Sequence, residues 1–88
     1  MSERLTSDAM LSMEYLIAEI RRQDGKHGRF TDLSELGQAR LAVACLEDEV
    51  REARNAWRKD RQVAGWPHLQ AELLQVAAVA MRALRDLP

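Results

Sequence analysis

The sequence is poor in the residues that cross-link small folds or interrupt helices. Its 88 residues include one cysteine, two prolines, four glycines and 5% aromatic residues. A single cysteine, Cys45, excludes an internal disulfide, and this usage does not require an oxidising compartment. Cys45 lies in an apolar segment, so we expect a buried, inert thiol. A chain of this length predicts one domain over residues 1–88, with a core of modest size.

The chain also lacks an excess of either charge and any long apolar run. Thirteen Lys and Arg residues against fourteen Asp and Glu give a net charge of −1, which argues against binding to a nucleic-acid backbone. The apolar run at 73–81 is far shorter than the ~20 residues of a membrane span, and we find no signal-peptide pattern. We therefore expect a soluble, cytoplasmic protein with no nucleic-acid or membrane partner.

Helical periodicity fills most of the sequence and predicts an all-α chain of three helices. The first is expected at about 7–23, and the glycine-containing segment 24–29 is expected to form a loop. The second begins near Ser34, continues for about 25 residues, or ~38 Å, and stops before Gly65. Pro67 suits the first turn of the third helix, where its missing N–H costs nothing.

The third helix is apolar around most of its circumference. Its apolar positions form two stripes: Leu69, Leu73, Val76, Ala80 and Leu84, and beside them Leu74, Ala77, Ala78 and Met81. Such a helix is normally surrounded by other helices, and three helices from one chain do not surround it. We therefore expect a homo-oligomer, a dimer or a tetramer, that completes a four-helix-type bundle. Ala78 and Val79 then lie either between subunits or in the chain's own core.

Acidic residues occur where two of these helices are expected to face inward. Glu49 and Glu52 are i, i+3 neighbours bracketed by apolar residues, and Glu72 and Gln75 repeat this spacing on the third helix. A charge in a helical core is costly unless it is paired or bound to a cation. Two such pairs can hold Mg²⁺ or Mn²⁺, which prefer oxygen ligands. The alternative interpretation is a solvated face, neutralised by arginines such as Arg82.

Three segments of the chain carry a family resemblance. They are LEDEVREA at 46–53, AELLQVAAVA at 71–80 and, upstream, RQDGKHG at 22–28. In this order they resemble the all-α nucleoside triphosphate pyrophosphohydrolases of the MazG type, which carry Glu-x-x-Glu on one helix and Glu-x-x-Asp on the next. The upstream segment is similar to R-Q-D-E-K-W-G in small phage and bacterial members. The resemblance covers nearly the whole chain.

The resemblance implies that Glu49, Glu52 and Glu72 are catalytic and bind the metal, with Asp48 beside them. Gln75 stands where the family has its last acid. An amide oxygen can still coordinate a cation, but it adds no charge, so the metal affinity is expected to fall. A glutamine also occurs at this place in the small relatives, and it marks either a subgroup or a degenerate site.

The activity implied by the resemblance is metal-dependent attack of water on the α-phosphorus of a nucleoside triphosphate, which releases pyrophosphate and a nucleoside monophosphate. The candidate nucleotide-binding residues are the basic ones in or beside the first loop: Arg21, Arg22, Lys26, His27 and Arg29. The alternative interpretation of these residues is a solubilising loop. His27 departs from the family, since the small relatives have Trp there.

Three functions remain open at this point. The first is the Mg²⁺-dependent pyrophosphohydrolase. The second is a protein that binds and sequesters a nucleotide or a nucleotide-derived signal without cleaving it, which Gln75 favours. The third is a plain helical interaction module. The sequence has no phosphate-binding glycine loop, no zinc-ligand cysteine spacing and no nucleophile elbow that would indicate other chemistry.

Overall fold

The computed structural model describes the backbone of residues 3–87 and, within it, the side chains of residues 12–87 except that of Asp32. This part of the chain consists of three long helices and one short turn: α1 (Glu3–His27), a 3₁₀ turn (Phe30–Asp32), α2 (Glu35–Lys59) and α3 (Pro67–Asp86). No strand occurs between residues 3 and 87, which confirms the all-α prediction.

The predicted starts of α2 and α3 are confirmed, but α1 was predicted too short at both ends, since it runs from Glu3 to His27. α1 accommodates Gly25 and continues to His27. It stops at Gly28, which has a φ of 74° and donates its N–H to the Asp24 carbonyl at 2.9 Å. Glycine adopts this left-handed conformation without a steric penalty, so it is the usual residue after a helix. Lys26 therefore lies in the last helical turn, where the helix dipole favours a cation.

The turn between α2 and α3 is closed by Asp60, whose side chain is fully buried. Its carboxylate accepts a hydrogen bond from the Leu69 N–H at 2.8 Å and lies 2.7 Å from His68 Nδ1. Trp66, directly before α3, has a φ of 51° and provides no capping side chain. Burial raises the pKa of Asp60, but the bonds from Leu69 and His68 outweigh burial and bring it below its ordinary value. Asp60 thus caps α3 from across the turn.

α3 packs against both other helices. The short turn joins it to α2 in an antiparallel arrangement. α3 runs parallel to α1, because later residues of one contact later residues of the other. The Gln23 side-chain amide donates to the Gln75 carbonyl at 3.4 Å, and the Phe30 N–H, beyond the end of α1, donates to the Asp86 carboxylate at 3.1 Å. This arrangement brings the middle of α2, the first half of α3 and the second half of α1 to the same level.

Apart from Phe30, the core consists mostly of small side chains. Phe30, Ala42 and Ala83 form its centre, and Cys45 and Leu87 pack beside them while still partly exposed. Because alanine buries little apolar surface, this core contributes less stability than one built from Leu and Ile. The prediction of a buried thiol at Cys45 is met only in part, because its side chain still reaches the surface.

Large apolar side chains stay on the surface. On α2 they recur at every seventh position, with exposed fractions between 41% and 64%. We call these four residues the α2 stripe: Leu36, Val43, Val50 and Trp57. On α3, Leu73 and Leu84 are also exposed, whereas Ala78 and Val79 are covered by the chain itself. Within residues 3–87, no helix combines the length and apolar character needed to cross a membrane.

Candidate functional site

Three glutamates from two helices meet between α2 and α3. Glu49 and Glu52 lie one turn apart on α2 and Glu72 lies on α3, and each offers a carboxylate oxygen within 4.8 Å of the others. We call these residues the glutamate cluster. The i, i+3 spacing points the first two side chains in one direction, and the antiparallel packing of α3 brings the third to them. The structure therefore brings together the three acids that the sequence analysis singled out.

The glutamate cluster holds its charge at a high electrostatic cost. Burial raises the pKa of Glu49 to about 7, and the neighbouring Glu52 and Glu72 add to this rise. Burial and Glu52 also raise the pKa of Glu72. One oxygen, Oε2, of both Glu49 and Glu72 is buried and has no hydrogen-bond partner among the described residues. Carboxylates in such surroundings are stabilised either by taking up a proton or by binding a cation.

A fourth acid, Glu19 on α1, lies beside the cluster and was missed by the sequence analysis. It accepts hydrogen bonds from the Arg22 guanidinium at 2.6 and 2.8 Å and from the Gln23 amide at 3.3 Å. The Arg22 bonds lower the pKa of Glu19, and its charge contributes to the raised pKa values of Glu49 and Glu72. Glu–Arg pairs at i, i+3 are common on helix surfaces, so the sequence gives no signal that this one faces inward.

Gln75 and Asp48, the other predicted oxygen ligands, lie at the margin of the cluster. Gln75 is one turn beyond Glu72 on α3, and it lines the cleft described below. Asp48 lines the same cleft, but its side chain is 65% exposed and pairs with Arg51 at 3.3 Å. Gln75 thus shares the cleft with Glu49 and Glu52, whereas the exposed Asp48 is paired with an arginine.

A cleft of about 530 Å³ opens between the three helices next to the glutamate cluster. One wall is a continuous face of α2 that includes Leu41, Cys45 and Glu52, and a second wall on α3 includes Gln75 and Arg82. Because α2 and α3 are antiparallel, Gln75 lies at the glutamate end and Arg82 at the Leu41 end. The cleft has the volume typical of a small-molecule site.

The third wall of the cleft comes from the end of α1 and the following loop, and it carries four of the five predicted basic residues: Arg22, Lys26, His27 and Arg29. Arg21 does not line the cleft. Arg22 is paired with Glu19 at 2.6 Å and Arg29 with Asp86 at 2.7 Å. Lys26 and His27 are exposed, and the ion pairs found among the described residues include neither of them. These two side chains are therefore available to an anion.

A buried arginine, Arg82, lies at the end of the cleft away from the glutamates and is only 4% exposed. It donates to the Asp24 carboxylate at 2.9 Å, to the Gln23 side-chain oxygen at 3.2 Å and to the Gly28 carbonyl. Its guanidinium lies 5.1 Å from the centre of the Phe30 ring. Arg82 thus fixes the end of α1 against α3 and does not neutralise the glutamate cluster.

Two aspartates complete this network of charges. Arg85 donates two hydrogen bonds to Asp24 and two to Asp86, with distances between 2.7 and 3.0 Å. Asp86 also accepts hydrogen bonds from Arg29 and from the Phe30 N–H. The Arg85 bonds are the main reason that the pKa values of both aspartates lie below their ordinary range. Asp24, the acid of the RQDGKHG segment, therefore has a structural role.

A smaller cleft of about 240 Å³ lies on the other side of the glutamate cluster. It is lined by Glu52 and Glu72 together with Asn55, Lys59 and His68. The charge of Lys59 partly offsets the rise in the pKa of Glu72. The cluster consequently separates two clefts and is reachable from both.

No protein-family model, no curated protein and no solved structure matches this chain. The likeness to the MazG-type enzymes therefore rests on the three segments and their order.

Proposed function

We propose that this chain is a metal-dependent nucleoside triphosphate pyrophosphohydrolase that binds Mg²⁺ or Mn²⁺ at the glutamate cluster. The observation that carries this proposal is the convergence of carboxylate oxygens of Glu49, Glu52 and Glu72 within 4.8 Å. One buried oxygen of Glu49 and one of Glu72 have no hydrogen-bond partner among the described residues. A divalent cation relieves both the mutual repulsion and the missing contacts, and carboxylate oxygens are the ligands that Mg²⁺ and Mn²⁺ prefer.

The larger cleft has both acidic and basic side chains in its walls. The acidic ones suit the cation of a metal–nucleotide complex, and the basic ones suit its phosphates. Lys26 and His27, which line the third wall of this cleft, would contact phosphate oxygens. Arg22 holds Glu19 in position beside the cluster. When bound, the cation supplies charge neutralisation at the phosphate and acidifies the attacking water, so that water and the triphosphate yield pyrophosphate and a nucleoside monophosphate. Such substrates are intracellular metabolites, which is our reason for proposing a cytoplasmic location.

A second candidate, a protein that binds a nucleotide without cleaving it, is favoured by Gln75. This residue lines the cleft one turn beyond Glu72, where a carboxylate would add charge to the metal site. An amide oxygen holds a cation less tightly than an ionised one. Binding without turnover is the expected behaviour if the cation is held too weakly or in the wrong place to act on water.

Two measurements distinguish these candidates. Pyrophosphate release from a panel of nucleoside triphosphates, with Mg²⁺ or Mn²⁺ and with chelator, tests the enzyme. Replacing Glu52 or Glu72 by Gln should abolish metal-dependent release, whereas Glu47→Gln, on an exposed position of the same helix, should not. Calorimetric binding of the same panel without turnover supports the second candidate. Absence of both binding and turnover leaves only the interaction module.

We also propose that two copies of the chain pair through the α2 stripe and thereby form a four-helix-type bundle. Apolar residues at every seventh position form a seam along one side of a helix, which is the pattern of helices that pack lengthwise. The same stripe on a second copy is its natural partner, because a two-fold contact joins identical surfaces. Leu36, Val43, Val50 and Trp57 are at least 41% exposed in the single chain, and pairing would cover them.

Light scattering of the intact chain tests this pairing. The native protein should have at least twice the mass of one chain at micromolar concentration. Val43→Glu combined with Val50→Glu should yield folded monomers, whereas Ala44→Glu, an exposed position beside the stripe, should leave the assembly intact. A native protein that is monomeric and folded at that concentration would refute the proposal. Arginine at Ala78 or Val79 is not a test of assembly, because both side chains are buried within the chain.

A further inference from the structure

Positive charge is concentrated at the end of α2 and in the turn that follows it. Between Glu52 and Glu72 the chain has one acid, Asp60, and that acid is fully buried. The same segment has four Lys and Arg residues, all of them exposed: Arg54, Arg58, Lys59 and Arg61. The ion pairs found among the described residues include none of the four. Lys59 borders the smaller cleft, so the three arginines form the outward-facing charge of this region.

Apolar side chains are exposed in the same turn. Val63 is 46% and Trp66 is 42% exposed, and the two clefts described above include neither residue. Trp66 also has a left-handed φ of 51°, which is unfavourable for a bulky residue. Burial does not offset this strain, because much of the indole is in contact with solvent. Strained backbone of this kind is concentrated at functional sites.

These turn residues are separate from the α2 stripe. Val63 and Trp66 are not members of the stripe, so the pairing of two copies through it assigns them no partner. Trp57 is a member, and one face of its ring is covered by Arg61, whose guanidinium lies 4.6 Å from the ring centre. We call the following residues the basic turn surface: Arg58, Arg61, Val63 and Trp66.

We propose that the basic turn surface binds the headgroup region of an anionic lipid bilayer, an inference that does not depend on the proposed enzymatic function. Tryptophan prefers the interface between lipid and water, and basic residues beside it are attracted to anionic lipids. The shortness of the apolar run at 73–81 bears on membrane spans and not on peripheral contact. The net charge of −1 is an average over the chain, and it does not describe this surface.

A single-stranded nucleic acid is the other polyanion that basic and aromatic residues bind. The basic turn surface suits it less well, because bases stack on free aromatic faces and Arg61 already covers one face of Trp57. Val63 has no role in base stacking, whereas it adds apolar contact at a bilayer surface. The exposed apolar side chains therefore favour lipid.

Co-sedimentation of the intact protein with vesicles, in chelator, tests the proposal. Vesicles of equal parts phosphatidylcholine and phosphatidylserine should bind the protein, and vesicles of phosphatidylcholine alone should not. Raising the salt from about 0.1 to about 1 M should release most of the protein, because the Debye length falls from about 10 Å to about 3 Å. Arg58→Gln should weaken binding about fivefold, since each basic residue near an anionic surface contributes about that factor. Arg40→Gln, on an exposed position in the first half of α2, is the matched control and should change binding little.

Tryptophan fluorescence locates the contact. In Trp57→Phe, Trp66 is the one tryptophan left in the chain. Its emission should shift to shorter wavelength on anionic vesicles, and brominated lipid in those vesicles should quench it. Trp66→Ser should weaken vesicle binding, and circular dichroism checks that this variant remains folded. The quenching measurement keeps the native Trp66, so it does not depend on the folding of that variant.

Binding to anionic vesicles together with quenching of Trp66 supports the proposal. Absence of binding at low salt overturns it. Equal weakening by Arg58→Gln and Arg40→Gln also overturns it, because the contact then lies elsewhere on the chain. Binding to a single-stranded oligonucleotide but not to vesicles overturns it as well, and assigns the surface to nucleic acid. None of these outcomes changes the standing of the proposed enzymatic function.

Discussion

Replacing Glu49 with glutamine should make the metal-free protein more stable at alkaline pH. An unfolded glutamate ionises near 4.5, whereas burial and the neighbouring acids raise the pKa of Glu49 to about 7 in the fold. A raised pKa means that the stabilising contribution of this group is complete below pH 4.5 and is lost as the pH rises through 7. At pH 8 the native protein therefore holds Glu49 ionised at a cost, and a neutral amide of the same shape avoids that cost.

The size of this effect follows from the difference between the two pKa values. Each tenfold change in proton affinity is worth about 1.4 kcal/mol, so the rise from 4.5 to about 7 corresponds to about 3 kcal/mol at most. Glu49 retains some contact with water, and solvent screening lowers the figure to about 1–2 kcal/mol. In a domain of this size that is a rise in Tm of about 5–10 °C.

Thermal unfolding in chelator at pH 5 and pH 8, at one fixed protein concentration, measures the effect. The gain from Glu49→Gln should be large at pH 8 and small at pH 5. Addition of Mg²⁺ at pH 8 should stabilise the native chain more than the variant, since the variant lacks a charged ligand. Glu47→Gln, on an exposed position of α2, should change the Tm little under any condition. A Glu49→Gln variant that is less stable than the native chain at pH 8 without metal would refute the reasoning.

Three further substitutions test other parts of the structure. Gln75→Asp adds a charge beside the cluster, so it should lower the Tm in chelator and enlarge the stabilisation by Mg²⁺; no change in metal dependence would show that residue 75 lies outside the metal site. Asp60→Ala removes the buried cap of α3, so it should lower the Tm and speed amide exchange at Leu69, and unchanged exchange there would contradict the capping role. Arg82→Met should cost about 2–3 kcal/mol in urea unfolding, because a buried ion pair is broken while Asp24 keeps its bonds to Arg85. A loss under 1 kcal/mol would show that the Arg82 pair contributes little.

Much of the architecture could be predicted because local signals agreed with one another. The spacing of apolar residues identified the three helices, and Pro67 fixed the start of α3, where it occupies the first turn. The convergence of the glutamate cluster was also accessible. Pairs at i, i+3 lie on one face of a helix, and a short turn between helices makes them antiparallel neighbours.

The sequence pattern predicted the end of α1 wrongly, because a glycine can either end a helix or lie within it. Gly25 and Gly28 together suggested a loop, but an isolated glycine costs a helix only about 1 kcal/mol. The hydrogen bonds from Arg82 and Arg85 to the end of α1 offset this cost, so the helix continues through Gly25. The sequence contained no information on this packing, because the partners are 58 and 61 residues away.

The partners of the arginines were equally beyond the reach of the sequence. Arg29 was a candidate nucleotide ligand by its position in the loop, yet it bonds to the buried Asp86. Arg82 was a candidate partner of the acids, and it bonds to Asp24. A long, flexible side chain reaches many positions, and its actual partner depends on the three-dimensional arrangement of all three helices.

The distribution of these arginines bears on why the glutamate cluster is a candidate cation site. The carboxyls of Asp24 and Asp86 have pKa values below the ordinary range, chiefly because Arg85 bonds to them, and Arg22 has the same effect on Glu19. Glu49, by contrast, has its pKa raised, although the chain has nearly as many cations as acids. The fold thus directs its nearby arginines to other carboxylates, and Lys59 offsets the negative charge of the glutamate cluster only in part. A net charge near zero therefore coexists with a local excess of negative charge at the glutamate cluster. A divalent cation from solution binds most favourably where such an excess exists.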